Sequence, residues 1–111
     1  MESLNILWTT DNKDTFFSMV SMYAVNSLRN GWWNEIKVII WGASAKLAGN
    51  DVQVQTELLE MMQQGVKIEA CKACADIYEV SESLHKLGIT VKYYGETLTY
   101  ILKSDTKLLT V

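Results

Sequence analysis

The chain is predicted to fold as a single α/β domain over residues 1–111, built on a parallel sheet. Its length fits one ordinary domain, and 49% of the residues are apolar, which is enough to close a core. Five short β-rich runs recur at regular intervals, and each interval holds a segment with helical features. This alternation favours parallel strands joined by right-handed helical crossovers, with helices on both faces of the sheet.

The patterning of the strands gives a first indication of their order. The predicted strands are Leu4–Thr9, Ile36–Trp41, Val66–Ala70, Ile89–Tyr93 and Lys107–Val111. The second run is almost entirely apolar, as expected of a strand that is covered on both faces, whereas the third alternates polar Lys67 and Glu69 with apolar residues. The third strand is therefore predicted to lie toward one side of the sheet or to face a partner chain.

The first two intervals carry the clearest helix signals. Residues 14–31 place apolar side chains at helical spacing and end at an Asn-Gly pair. Residues 50–65 can be capped by Asn50 or Asp51 and end at Gly65. Each segment is long enough to form a crossover between parallel strands.

The third and fourth intervals are shorter. In the third, one apolar stripe is formed by Ile77, Val80, Leu84 and Leu87, and Gly88 ends the predicted helix. The stripe extends backward to Cys74, which places this thiol toward the core. The fourth interval, residues 95–105, predicts one short helix.

Composition excludes several classes of partner. The formal net charge is −3, the pI is near 5.0 and Arg29 is the only arginine, so no basic face is expected for nucleic acid. No apolar run reaches the roughly 20 residues of a membrane span, and the start of the chain shows no cationic leader. We therefore expect a cytoplasmic protein without nucleic-acid or membrane partners. In that reducing compartment its thiols are not expected to form a structural disulfide.

Both cysteines lie in the stretch EACKACAD, residues 69–76. Cys71 directly follows the third strand and is predicted to begin a helix, where unpaired N–H groups and the helix dipole favour a thiolate. Lys72 adds a neighbouring cation, whereas Glu69 and Asp76 act in the opposite direction. Cys71 is thus a candidate nucleophile, which requires its sulfur to be ionised and open to water, and Cys74 is either a resolving thiol or a packed core residue.

Other chemistries for this pair are less favoured. A thioredoxin-like CxxC site lacks its cis-proline, because the chain contains no proline. A zinc site would need more ligands than His85 supplies, so the metal would have to be shared between chains. A Cys71–His85 dyad on one helix would be separated by about 21 Å. His85 is instead expected to be a surface residue near a helix C-terminus.

Two loops at the carboxyl pole of the sheet carry further candidate residues. The loop TTDNKDT, residues 9–15, resembles a phosphate loop, but it lacks glycine and its aspartates would repel phosphate, so N-capping by Asp11, Asn12 or Asp14 is the better account. After the second strand, Gly42 permits either a tight turn or close approach of a ligand.

Aromatic residues also end three of the predicted strands. They are Trp8, Trp41 and Tyr93, and they are predicted either to wall a mouth around Cys71 or to form core or subunit contacts. The predicted binding residues at this pole are Asp11, Asn12, Trp41, Gly42 and Lys72.

Several segments together resemble the DsrE/DsrF-like family along essentially the whole chain: TTDN, GWWNEIKVIIWGASAKL, GVKIEACKACAD, LGITVKYYGETLTYIL and KLLTV. The resemblance implies a three-layer α/β/α sandwich with a five-stranded parallel sheet of order 4-3-2-1-5, and it implies oligomers, commonly trimers or hexamers. Better-understood relatives carry a cysteine after the third strand that accepts sulfur as a persulfide. Cys71 matches that position, whereas Cys74 lies outside the basic pattern.

These observations predict a sulfur carrier that uses Cys71 as its sulfur acceptor, needs no cofactor, and works as a homo-oligomer with unidentified donor and acceptor proteins. In this hypothesis Cys74 releases bound sulfur or protects Cys71 in a disulfide. The alternative is a non-catalytic homo-oligomeric module that binds a small ligand or nucleotide, in which both cysteines only pack.

Overall fold

The computed structural model describes residues 2–111 and contains one five-stranded parallel sheet of order β4-β3-β2-β1-β5. The predicted class and strand order are confirmed, and β3 lies next to the edge strand, as its polar alternation indicated. Each strand overlaps the run predicted for it. The strands are β1 Ser3–Trp8, β2 Glu35–Ile40, β3 Lys67–Cys71, β4 Thr90–Lys92 and β5 Lys107–Thr110.

Helices cover both faces of this sheet. Strands β1 to β4 are added in one direction, so right-handed crossovers place the helices between them on one face. The connection from β4 to β5 returns across the sheet and places α7 on the other face. The α-helices are α1 Lys13–Thr15, α2 Met22–Arg29, α3 Ala43–Asn50, α4 Val52–Gln63, α5 Lys72–Ile77, α6 Ser81–Lys86 and α7 Gly95–Lys103.

The first crossover follows the predicted helix but contains a π-helical segment, Phe16–Ser21, between α1 and α2. Asn12 is the N-cap of α1, and its side chain accepts the N–H of Thr15 at 2.9 Å, which confirms the capping interpretation of this loop. The buried ring of Phe16 stacks on Trp8 with 4.6 Å between ring centroids. This stacking fixes the start of the crossover against the end of β1.

The second crossover begins earlier than predicted. Helix α3 follows β2 directly, at the position where a tight turn was one expectation, and α4 then fills the predicted segment. Gly42 is the N-cap of α3 and has φ of +69°, a left-handed conformation that glycine adopts without steric cost. Asp51 caps α4 by accepting the N–H of Val54 at 3.0 Å.

The third crossover is two short helices rather than the one predicted. A turn over residues 78–80 separates α5 from α6, and Glu79 in this turn has φ of +57°. The break rotates Ile77 away from the core, so the prediction that it packs there is wrong: it is 73% exposed. Leu84 is buried as predicted, and His85 is exposed in the last turn of α6.

Most of the core lies between the sheet and the larger helical layer. Its largest fully buried side chains include Trp8, Phe16, Ile36, Ile40, Leu58 and Leu84. Within residues 2–111, no helix is long and apolar enough to cross a membrane.

Candidate functional site

The two cysteines lie where the sequence places them, at the junction of β3 and α5. Cys71 is the last residue of β3 and the N-cap of α5, and Cys74 is the third residue of that helix. Both are free thiols. The N-cap and third helical positions bring their side chains to the same side of the first turn, as in a capping box.

Both thiols are buried, which corrects the expectation that Cys71 is open to water. Cys71 is 3% exposed and Cys74 is 9% exposed. The physical reason is that α5 folds back from the strand end and contacts α3, so the short helix covers the pair. An approaching reactant must therefore displace part of this cover.

Several neighbouring groups change the pKa of Cys74. Burial raises the pKa of the Cys74 thiol, and the adjacent sulfur of Cys71 raises this pKa further. In the opposite direction, the backbone N–H groups of Gly42 and of Cys74 itself favour the thiolate. The Cys74 thiol thus holds its proton more firmly than a free thiol and lies beside the sulfur of Cys71.

Backbone N–H groups at the start of α5 were expected to stabilise a thiolate at Cys71. In the described part of the chain, no side-chain hydrogen bond caps α5 at Cys71, and α5 has only six residues. The backbone N–H of Gly42, at the start of α3, instead acts to lower the pKa of Cys74. Gly42 was among the predicted binding residues, and the structure brings it to the cysteine pair.

Ser44 fixes the start of α3 and thereby the position of Gly42. Its fully buried Oγ donates to the carbonyl of Trp8 at 2.6 Å and accepts the N–H of Trp41 at 3.0 Å. One hydroxyl thus joins the ends of β1 and β2 to the first turn of α3. Ser44 was not among the binding residues predicted from the sequence.

Lys72, another predicted binding residue, makes its contacts along α5. Its ammonium group lies 2.9 Å from a carboxylate oxygen of Asp76 and 5.7 Å from the ring centroid of Tyr93. Its hydrogen bond to Asp76 raises the pKa of Lys72, and hydrogen bonds from Ser81 and Lys72 lower the pKa of Asp76. Lys72 therefore contributes a charge that Asp76 largely balances.

A polar network that sequence reasoning missed is centred on Glu69, two residues before Cys71 on β3. Glu69 accepts the hydroxyl of Tyr94 at 2.8 Å, and its Oε1 is 3.6 Å from the ammonium groups of both Lys37 and Lys92. Burial raises the pKa of Glu69, but the Tyr94 hydroxyl and the two lysines outweigh it and hold the pKa below its usual range. The charges on neighbouring strands were the signal that could have revealed this network.

The predicted aromatic mouth forms only in part. Trp8 is completely buried, so of the two roles predicted for it the core contact is confirmed and the wall of a mouth is not. Trp41 is half-buried and directly precedes Gly42, whereas Tyr93 is 70% exposed beside Lys72. Trp8 is buried because β1 is an interior strand and the first crossover lies over its end.

The predicted binding residues of the β1–α1 loop, Asp11 and Asn12, are found at a cavity that lacks the cysteines and at a helix N-cap. Asn12 is occupied in capping α1. Asp11 is exposed and lines a shallow cavity with residues of α3 and its end. The other residues lining it are Lys46, Leu47, Asn50 and Asp51, so neither cysteine is part of this cavity.

A metal site would need several ligating side chains close together. Within residues 2–111, no group of three or more His, Cys, Asp or Glu side chains is arranged to hold a metal ion.

Fold and site together define a class of small α/β proteins with a free cysteine where the third strand of a parallel sheet meets a helix. The DsrE/DsrF-like family model matches residues 6–110, and the chain belongs to this family. The family is generally linked to sulfur relay. A comparison with curated proteins gives no match.

Solved structures are similar over nearly the whole chain. The conserved protein of unknown function BT1422 from Bacteroides thetaiotaomicron is 55% identical, with a TM-score of 0.96 over 99% of this chain and 95% of that one. The ychN protein from E. coli is 17% identical with a TM-score of 0.69, and the protein of unknown function MTH1491 from Methanobacterium thermoautotrophicum is 13% identical with a TM-score of 0.75. The chain and each of these last two cover one another fully, and at this identity both show the fold alone.

Proposed function

We propose that the protein is a sulfur carrier in which Cys71 accepts a sulfur atom as a persulfide. The observation that carries this proposal is the position of a free thiol at the junction of β3 and α5 in a family linked to sulfur relay. The Cys71 thiolate attacks the outer sulfur of a donor persulfide. A bond forms between the two sulfurs, the donor leaves as a thiolate, and Cys71 retains the sulfane sulfur.

The neighbouring groups have supporting roles in this proposal. Cys74 keeps its proton and can donate it in a hydrogen bond to sulfur on Cys71. The Gly42 amide adds a fixed donor beside the pair, and Lys72 supplies a partly balanced positive charge at the first residue of α5. Trp41 borders Gly42 on the β2 side. Asp11 and Asn12 belong to the neighbouring loop, where Asn12 supports the fold through its cap.

Access to Cys71 is proposed to come from displacement of α5. This helix has six residues and ends at the turn that contains the left-handed Glu79. A short helix bounded by such a turn has few internal hydrogen bonds to lose when it opens. Opening would expose Cys71 and Cys74 together, because both belong to its first turn.

Sulfur loading can be tested by intact mass spectrometry after anaerobic reaction with glutathione persulfide. The reduced protein should gain the mass of one sulfur atom or release the equivalent sulfide, and Cys71→Ser should do neither. Cys71→Ala serves as a second variant in case the serine disturbs folding, which circular dichroism would reveal. Equal labelling of the wild type and both Cys71 variants would contradict the proposal.

A second candidate function is favoured by the burial of the thiols. In this alternative the protein is a non-catalytic module that binds a small ligand or nucleotide at the same pole, and the cysteines only pack. It predicts slow alkylation of both thiols in the native protein and unchanged ligand binding after Cys71→Ala. Rapid alkylation of Cys71 at neutral pH, compared with the rate in urea, would exclude it.

We also propose that the working form is a homo-oligomer, a trimer or hexamer, in the cytoplasm. Support comes from exposed apolar side chains on and beside α7, where Tyr93, Tyr100 and Leu102 are each at least 63% exposed. Sedimentation at several concentrations tests this assembly. A monomer at all concentrations would contradict it without affecting the sulfur chemistry.

A further inference from the structure

The two thiols are positioned to react with each other once one of them carries sulfur. Cys71 and Cys74 occupy the N-cap and third positions of α5, so the helix turn itself brings the two side chains together. Both are free and both are buried, which shields the pair from other thiols while α5 stays in place. Cys74 is therefore the thiol that Cys71 meets most often.

We propose that Cys74 is the first acceptor in the reaction, so that the sulfur carried by Cys71 leaves the chain as sulfide and a Cys71–Cys74 disulfide remains. This inference rests on the proposed function, since it begins from the Cys71 persulfide. It assigns the protein a further activity, reduction of a persulfide sulfur to sulfide. The substrate is a persulfide, and the second substrate is a small thiol that restores the protein.

The proposed step balances in atoms and electrons. The sulfur of Cys74 attacks the inner sulfur of the ionised Cys71 persulfide, and the bond between Cys71 and its outer sulfur breaks. The Cys74 proton moves to the departing sulfur, which leaves as HS⁻. Two electrons pass from the cysteine pair to the sulfane sulfur, and a low-molecular-weight thiol later reduces the disulfide in two exchange steps.

The surroundings of Cys74 suit this role. The backbone N–H of Gly42 acts to lower the pKa of Cys74 and so favours negative charge on its sulfur as the proton leaves. Reaction within one chain also has a large advantage over reaction with a dissolved thiol, because the two groups are held together before the step begins. An outside acceptor would first have to displace α5, whereas Cys74 requires no such opening.

The experiment compares wild type, Cys74→Ser, Cys74→Ala and the Cys71→Ser/Cys74→Ser double variant under anaerobic conditions. Each reduced protein receives one equivalent of glutathione persulfide, and sulfide and intact mass are then measured. The double variant gives the background decay of the donor. Wild type without donor shows that the dithiol does not oxidise by itself.

The expected wild-type products are one sulfide per chain and a monomer that has lost two hydrogen atoms. Both Cys74 variants should instead keep one added sulfur and release no sulfide above background. Wild type that holds its added sulfur stably, or Cys74 variants that release as much sulfide as wild type, would overturn this inference and leave the carrier proposal intact. Absence of added sulfur on both Cys74 variants, with no sulfide from wild type, would overturn the carrier proposal itself.

Discussion

Gly49 and Val80 approach each other so closely that no side chain fits between them. A Cβ atom built on Gly49 would lie 2.3 Å from the Cβ of Val80. Gly49 belongs to α3, and Val80 is the N-cap of α6, so this contact sets how the third crossover packs on the second. The same packing holds α5 against α3 and therefore holds the cysteine pair beside Gly42.

We expect Gly49→Ala to destabilise the protein by about 1–3 kcal/mol, because the added methyl overpacks the contact with Val80. The better helix propensity of alanine offsets part of this effect. Urea unfolding followed by circular dichroism measures the change. Gly95→Ala is the matched control, because no atom of residues 2–111 lies within 4 Å of its added methyl. A loss as large as that of Gly49→Ala would contradict the steric explanation.

Ser44→Ala is expected to cost about 1–3 kcal/mol, since it leaves buried backbone groups at the ends of β1 and β2 without their hydroxyl partner. Because the hydroxyl also fixes the start of α3, we further expect slower sulfur loading of Cys71 in the variant. Ser18→Ala removes an exposed hydroxyl bond to Asp14 and should change neither property. An unchanged unfolding midpoint in Ser44→Ala would show that the hydrogen bonds of the Ser44 hydroxyl do not stabilise the fold.

Asn12→Ala tests whether this predicted binding residue acts through its cap. We expect a loss of about 1 kcal/mol, typical of removing an N-cap side chain, without a change in sulfur loading. Asn12→Asp should restore most of the stability, because a carboxylate accepts the same N–H of Thr15. A loading defect in Asn12→Ala at full stability would instead indicate that the residue contacts a reactant.

The sequence predicted the sheet well because strand runs and turn residues are local signals. The helices were harder to predict than the strands. The segment GASAKLAGN is rich in small residues and has little apolar periodicity, so α3 was not expected, although contacts with other elements make it a helix. In the third crossover, Ile77 fits the spacing of Val80 and Leu84, and only the left-handed Glu79 reveals that the helix breaks.

The candidate site also combines features that are local in sequence with features that depend on distant segments. The positions of Cys71 and Cys74 follow from one strand end and one helix start, which are both local. Their burial depends on where α5 settles against α3, and the Gly42 amide comes from a different crossover. Contacts between segments distant in sequence leave no periodic pattern, so they could not be predicted from one sequence.

Glu69 should make the protein sensitive to acid. Its pKa is lower in the folded chain than its ordinary value of 4.5, so its stabilising effect is fully present above 4.5 and is lost as the pH falls through the folded pKa. We expect Glu69→Gln to cost about 1 kcal/mol at neutral pH and to flatten the acid limb of the stability profile. Glu82→Gln, on an exposed pair with Lys86, is the control and should leave the profile unchanged.

Lys72 and Asp76 are expected to change the reactivity of Cys71 in opposite directions. Lys72→Gln removes the cation next to Cys71 in sequence and leaves Asp76 unbalanced, which disfavours a thiolate. Asp76→Asn frees the ammonium group, while its amide oxygen can still accept the hydroxyl of Ser81. We expect iodoacetamide alkylation to be about three-fold slower in the first variant and about three-fold faster in the second at low ionic strength.

Both variants are best compared in a Cys74→Ser background, so that one thiol is measured. Since the side chains of Lys72 and Asp76 are 39% and 46% exposed, salt should screen both effects, and the rates should converge near 1 M ionic strength. Lys86→Gln on α6 breaks another i, i+4 ion pair and provides the control for a general loss of charge. Equal rates in all variants at low salt would mean that neither Lys72 nor Asp76 acts on the sulfur of Cys71 in the state that reacts, and would contradict this prediction.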